Sequence, residues 1–258
     1  MIFSQEGEAM LMKKNIVRMS LIAGLFIAGL AAALAASLPA LELGLFSKAS
    51  VGGDFPQGWE PLLFPKIEAH TQYTLVEDEG AVVVQAESKG SSSGMICKKE
   101  IDPVQYPVME WRWKVTSVYE KGDVTQKSGD DYPARMYVSF KYDPSKVGFW
   151  ERAKYKTAKV LYGEYPPHGA INYIWASNAP KGTVAPNPFS DRVKMIAVES
   201  GKENLGQWVL ERRNILEDYR NAFGEEPPMI AGIAIMTDSD NTGDQTVSYY
   251  GDIVLKSE

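Results

Sequence analysis

The chain has 258 residues, of which 45% are hydrophobic and 23% charged, with a net charge of −6 and a single cysteine. That balance fits a chain able to bury a core and not a disordered one. An acidic surface without a basic run argues against nucleic acid and anionic lipid as main partners, and one cysteine excludes an intramolecular disulfide.

In chain order, the first feature is a leader. Lys13, Lys14 and Arg18 precede the uncharged run LIAGLFIAGLAAALAAS, which Leu38 and Pro39 break. A basic n-region, an apolar h-region and the small residues Ala33 and Ala35 make a secretory signal peptide, with cleavage expected after Ala35 or Ala36. Met12 opens a more ordinary signal, so residues 1–11, with Glu6 and Glu8, read as an upstream extension. The alternative is an uncleaved anchor, because the run approaches the roughly 20 apolar residues that span a bilayer. No cysteine stands at the end of the run, so there is no lipobox. Cleavage predicts a periplasmic or secreted product over 37–258 with no stable membrane insertion. Residues 1–36 carry three cations and two anions, so without them the net charge is −7.

The lead-in 37–58, with Gly52-Gly53, reads as flexible, although Leu41, Leu43, Leu45 and Phe46 can supply a first strand. Period-two alternation then predicts strands at Val82–Ala86, Met109–Val115, Ala134–Phe140, Val193–Val198 and Val247–Leu255. Glu79-Gly80, the segment Lys89–Gly94, Lys121-Gly122-Asp123 and the segment Asn241–Asp244 mark turns between them. Trp111, Trp113, Met136, Val138 and Phe140 fall on core faces, and Arg112 and Arg135 leave them. Two segments break the pattern. Helical spacing over Lys146–Tyr162 ends at Gly163 and Pro166-Pro167, and over Trp208–Phe223 it ends at Gly224, before Pro227-Pro228. No internal repeat or linker divides the mature part. The expectation is one mainly β domain: an antiparallel β-sandwich, jelly-roll-like, with two inserted helices.

Motif chemistry is sparse. There is no G-x-S-x-G, H-E-x-x-H, P-loop or paired C-x-x-C. Cys97 reads as a small buried hydrophobe. Of the two histidines, His70 and His168, the second sits in a Pro-Pro-His-Gly loop where it reads as solvated, with a base as the alternative. The loop Asp238-Ser239-Asp240-Asn241-Thr242-Gly243-Asp244 places alternate carboxylates and a glycine where a calcium loop would. Asp238, Asp240 and Gly243 fit that pattern; Thr242 and Tyr249 do not. The alternative is a hairpin turn whose Asp and Asn side chains bond their own backbone. If a cation binds, calcium on Asp238, Asp240 and Asp244 is the expectation. Asp130-Asp131, ahead of the Arg135 strand, can bind a cation, supply an acid and a base, or pair with Arg112 or Arg135. Tyr132, Tyr137, Tyr162, Tyr165, Tyr173 and Trp175 lie in or beside predicted loops, where exposed rings could stack on sugars, although such residues are more often core.

The segments SSGMICKKEIDP, WRWKV, GDDYPARMYVSF, INYIWAS, DYRNAFGEEPP and AIMTDSDNTGDQTVSYYGDI resemble a bacterial family, domain of unknown function 3047, over roughly Leu41 to Leu255. The resemblance implies a β-sandwich with an export signal. It places Asp130, Asp131, Arg135, Asn172, Trp175, Asp238, Asp240 and Thr242 in the family pattern and assigns no activity. Three functions follow from the residues. The first is binding of a glycan or other small polar, polyhydroxylated ligand through Asp130, Asp131, Arg135, Asn172, Trp175, Asp238 and Asp240. The second is an enzyme acting on envelope polysaccharide through paired carboxylates, and the third is a structural envelope protein.

Overall fold

The computed structural model describes residues 40–145 and 167–258, together with Gly148, Arg152 and Tyr155. The expected signal peptide, and all of the helix expected over 146–162 except Gly148, Arg152 and Tyr155, lie outside the described residues. Thirteen strands follow in order: β1 (Ala40–Gly44), β2 (Trp59–Leu62), β3 (Gln72–Asp78), β4 (Ala81–Lys89), β5 (Ser92–Cys97), β6 (Val108–Val115), β7 (Arg135–Phe140), β8 (Gly169–Ala176), β9 (Val184–Asn187), β10 (Ser190–Ser200), β11 (Val209–Asn214), β12 (Ile230–Asp238) and β13 (Gln245–Lys256). One α-helix, α1 (Ile215–Phe223), separates β11 from β12.

The strands form two sheets. The six-stranded sheet runs β11-β6-β13-β4-β3 with β1 on the far end of β13, and the seven-stranded sheet runs β2-β5-β12-β7-β8-β10-β9. Their inner faces pack together through aromatic residues. Trp111 and Trp113 of one sheet meet Tyr173 and Trp175 of the other at ring separations of 5.5 and 6.1 Å. Met136, Val138 and Phe140 join the same core, as the alternation of β7 requires. Cys97 is free and buried there too.

Two expectations need correction. The sheets are not wholly antiparallel, because β8 and β10 pair in parallel, with β9 folded back along β10. The segment Trp208–Phe223 is not one helix. Its first half is the edge strand β11, where Glu211 opposes Trp111 and Val209 opposes Trp113. Alternation and helical spacing coincide over such a short run, and tertiary pairing with β6 decides between them. The helix begins where Asn214 Oδ1 accepts the Glu217 N–H at 3.1 Å. It ends at Gly224, whose φ of 74° is open to glycine at no steric cost.

Strand β4 leaves the six-stranded sheet and β5 enters the seven-stranded one, so Gly90 and Ser91 form a corner between sheets. That corner brings together the features from which a site can be built.

Candidate functional site

Three connections meet at the corner. Ser239 of the β12–β13 loop donates its N–H to Ser91 O at 2.9 Å, and Gly90 donates to Asp244 O at 3.0 Å. Ser88 and Ser239 hydroxyls lie 2.8 Å apart. The loop before β7 closes over the same end through Asp131, which accepts from Thr242 N at 2.6 Å, Thr242 Oγ1 at 2.8 Å and Asn241 Nδ2 at 3.0 Å. Asp131 is fully buried. It latches the acidic loop, whose tight turn uses Gly243 at φ 75°.

Asp238 closes β12 and is also buried. Its carboxylate takes both Nε, at 2.8 Å, and Nη2 of Arg135, and accepts the Tyr132 N–H at 3.1 Å. Arg135 leaves the inter-sheet core as its strand phase requires, yet only 2% of it is exposed, because the loop before β7 folds over it. Its Nη2 also donates to Asp130 O at 2.6 Å, and its guanidinium lies 4.5 Å over the Tyr132 ring. Burial opposes the charge of Arg135, and the field of Asp130 and the neighbouring tyrosines more than offsets it, holding the guanidinium ionised.

Asp130, Arg135, Asn172 and Asp238 therefore share the outer face of the seven-stranded sheet. Asn187 Nδ2 donates to Asp130 Oδ2 at 2.9 Å, and Asn172, beside Tyr137 in the β7–β8 ladder, points its Nδ2 at Met195 Sδ. Oxygens of Asp131, Asp238 and Asp240 lie within 4.8 Å of one another; Asp244 is not in that group. Asp240 is the most exposed of the three, and its pKa is raised by partial burial and by the Asp131 charge.

Several expected positions differ from their reading in the sequence. Trp175 is wholly buried between the sheets with Nε1 bonded to Gly201 O at 3.1 Å, so it offers no ring to a ligand. Tyr132 and Tyr173 are buried, which agrees with the core reading of these rings, while Tyr162 and Tyr165 lie outside the described residues. His168 is not solvated: 9% of it is exposed, and its Nε2 lies 3.3 Å from Glu225 Oε1.

An open surface lies on the other sheet. A groove of about 570 Å³ is lined by His70, Gln72, Glu87, Lys89, Ser117, Gln245 and their neighbours at the corner end of β3, β4 and β13. Glu87 sits between Gln72 and Val247 in the ladder. Gln85, the next outward residue of β4, hydrogen-bonds Glu87 and is paired with Tyr249. The half-buried Tyr249 meets Trp208 edge to face at 6.4 Å. Trp208 Nε1 donates to Asp78 Oδ2 at 2.8 Å, and Lys114 reaches the same oxygen at 2.5 Å. Asp78 stays ionised: these donors outweigh its desolvation and lower its pKa. The sequence held one signal for this surface, the outward positions of strands whose inward positions are core, and that signal does not distinguish a groove from an ordinary solvated face.

The family model described as protein of unknown function (DUF3047) matches residues 57–254. The chain belongs to that family. The matched span of the DUF3047 chain runs from just before β2 into β13 and includes both the buried network and the groove. No curated protein matches the chain. Among solved structures, it is similar to the family 30 carbohydrate-binding module of a cellulosomal cellulase of Clostridium thermocellum, at 12% identity over 84% of this chain and 98% of that one, with a TM-score of 0.40. The Emp47p carbohydrate recognition domain gives 11% identity over 86% and 97%, with a TM-score of 0.40. A family 29 carbohydrate-binding module complexed with cellulohexaose gives 10% over 84% and 92%, with a TM-score of 0.35.

Proposed function

We propose that this chain is an exported saccharide-binding protein whose binding face is the outer face of the six-stranded sheet. The observation that carries the reading is the open groove lined by imidazole, carboxamide, carboxylate and hydroxyl groups, leading through Gln85 to the rings of Tyr249 and Trp208. Hydroxyl-rich ligands need such mixed donors and acceptors at their edges and aromatic surface against their C–H faces. In this reading Asp130, Asp131, Arg135, Asn172 and Asp238 form the frame behind the face. Export follows from the leader. A glycan-array screen of the purified protein, with and without calcium, tests the reading: retention of a saccharide class that Tyr249→Ala abolishes supports it, and no retention of any class removes it.

A glycosidase fits less well. Two carboxyl groups must face one bond, whereas Asp130, Asp131 and Asp238 are buried and take the hydrogen bonds above, so that of these four carboxylates Asp240 alone reaches solvent. A second reading, calcium held by Asp131, Asp238 and Asp240, is favoured by the closeness of their oxygens. Calcium should then raise the melting temperature of the protein but not of Asp240→Asn; equal melting of both with and without the ion removes this reading.

A further inference from the structure

Arg112 stands apart from the other arginines. Arg135 is bonded to Asp238, Arg192 to Tyr155, Arg212 to Glu110, Arg213 to Asp218 and Arg220 to Glu226. Arg152 is engaged as well. Arg112 is the one arginine among the described residues whose guanidinium has neither a hydrogen bond nor an ion pair: it lies over the Trp208 ring, 4.4 Å from the centroid, and acts only through its charge on Asp78, which Lys114 and Trp208 already bond. Nor is it a loose side chain. Its aliphatic stem lies across Gly251, where a Cβ would come within 2.5 Å of its Cγ and 2.6 Å of its Nε. Glycine at 251 thus leaves the space that the arginine stem fills. Trp208, on which it stacks, is itself fixed by Asp78. The contact with the indole seats the guanidinium and leaves its N–H groups without a hydrogen-bond acceptor on the protein, which suits forked recognition of a carboxylate.

We infer that Arg112 is the carboxylate-recognising residue of the binding face and that the ligand is a saccharide bearing a uronate. This inference rests on the saccharide-binding reading and specifies its ligand class. The surroundings narrow it further. Asp78 and Glu79 already occupy Lys114, the groove carries Glu87 and Lys89 together and so no net positive charge, and the chain is acidic overall. A polymer charged at every residue would be repelled. The fit is a mainly neutral saccharide with isolated carboxylates, one of which reaches Arg112 while neutral rings occupy the groove and cover Tyr249.

The test is calorimetric titration of the purified chain with glucuronoxylan oligosaccharides, with the same oligosaccharides after carboxyl reduction, and with uniformly charged oligogalacturonides. The expected result is binding of the first, weakened about 10-fold or more by carboxyl reduction and by Arg112→Gln, since a charge-assisted hydrogen bond is lost in each case. Arg112→Lys, which keeps the charge without the fork, should fall between. Melting curves of both variants that superimpose on the parent exclude a folding defect. Equal binding of native and carboxyl-reduced ligand, or oligogalacturonide bound best, overturns this inference and leaves saccharide binding standing. Absence of binding to any saccharide, acidic or neutral, across a full glycan array defeats the underlying reading and this inference with it.

Discussion

On the outer face of the seven-stranded sheet, Asp130, Asp131, Arg135 and Asp238 are buried and hydrogen-bonded to one another or to the loops that cover them. On the outer face of the six-stranded sheet, Gln72, Glu87 and Gln245 are exposed along a groove. Both faces are polar, and their chemistry in the sequence looks alike. Position in the fold separates them: a charge covered by a loop must be paired and serves to hold that loop, while a charge left in water is free to meet a ligand. The conspicuous acidic clusters therefore mark the frame, and the quieter alternating polar residues mark the surface.

The comparison breaks most visibly under removal of one buried partner. Arg135→Met strands the Asp238 carboxylate and should cost about 3–5 kcal/mol in urea melts. A loss below about 1 kcal/mol would mean that the network does not hold the fold. A smaller effect is expected at the latch. Asp131→Asn replaces an acceptor of two Thr242 hydrogen bonds and one from Asn241, and should cost about 2 kcal/mol. Amide exchange should then rise first in 239–244 while the core strands keep their protection.

How far these assignments could be read from the sequence depended on whether periodicity or a chain-distant contact decided them. Trp111, Trp113 and Met136 alternate with charged or polar neighbours, and alternation of that length has one structural solution, so both the core and the sandwich were legible. The turn at Gly224 was legible for the same kind of local reason. The parallel β8–β10 pair and the strand character of Val209–Asn214 were not, because each depends on a neighbour brought in by the fold. Asp130, Arg135, Asn172 and Asp238 could be listed as chemistry-bearing residues, but the loop that buries them is tertiary. Arg112 read only as an outward residue of β6, for its stacking partner Trp208 lies almost a hundred positions away.

A third test sharpens the comparison by titration. Glu211 is buried on β11 near Lys181, Glu199 and Arg213, and burial raises its pKa to about 7. The unfolded chain holds that proton only below about 4.5. Its contribution to stability is thus complete below pH 4.5 and is lost as the pH rises through 7. Between pH 5 and 8 the protein should lose about 1–2 kcal/mol relative to Glu211→Gln, after allowance for solvent screening. Parallel pH profiles for the two proteins would show that Glu211 is ionised throughout. The smallest stability effects belong to the groove, where Gln72→Ala and Gln245→Ala should change stability by less than about 0.5 kcal/mol while weakening saccharide binding.

Trp208 makes the central claim directly measurable. Trp59, Trp111, Trp113 and Trp175 are buried, so among the described residues Trp208 is the tryptophan within reach of a ligand. Titration of a saccharide retained on the glycan array should shift the tryptophan fluorescence of the parent protein, and the shift should vanish in Trp208→Phe, whose melt should stay cooperative with a loss of about 1 kcal/mol for the hydrogen bond to Asp78. A shift that persists in Trp208→Phe and disappears in an equally stable Asp240→Asn would contradict the account, placing the ligand on the seven-stranded sheet and its acidic loop.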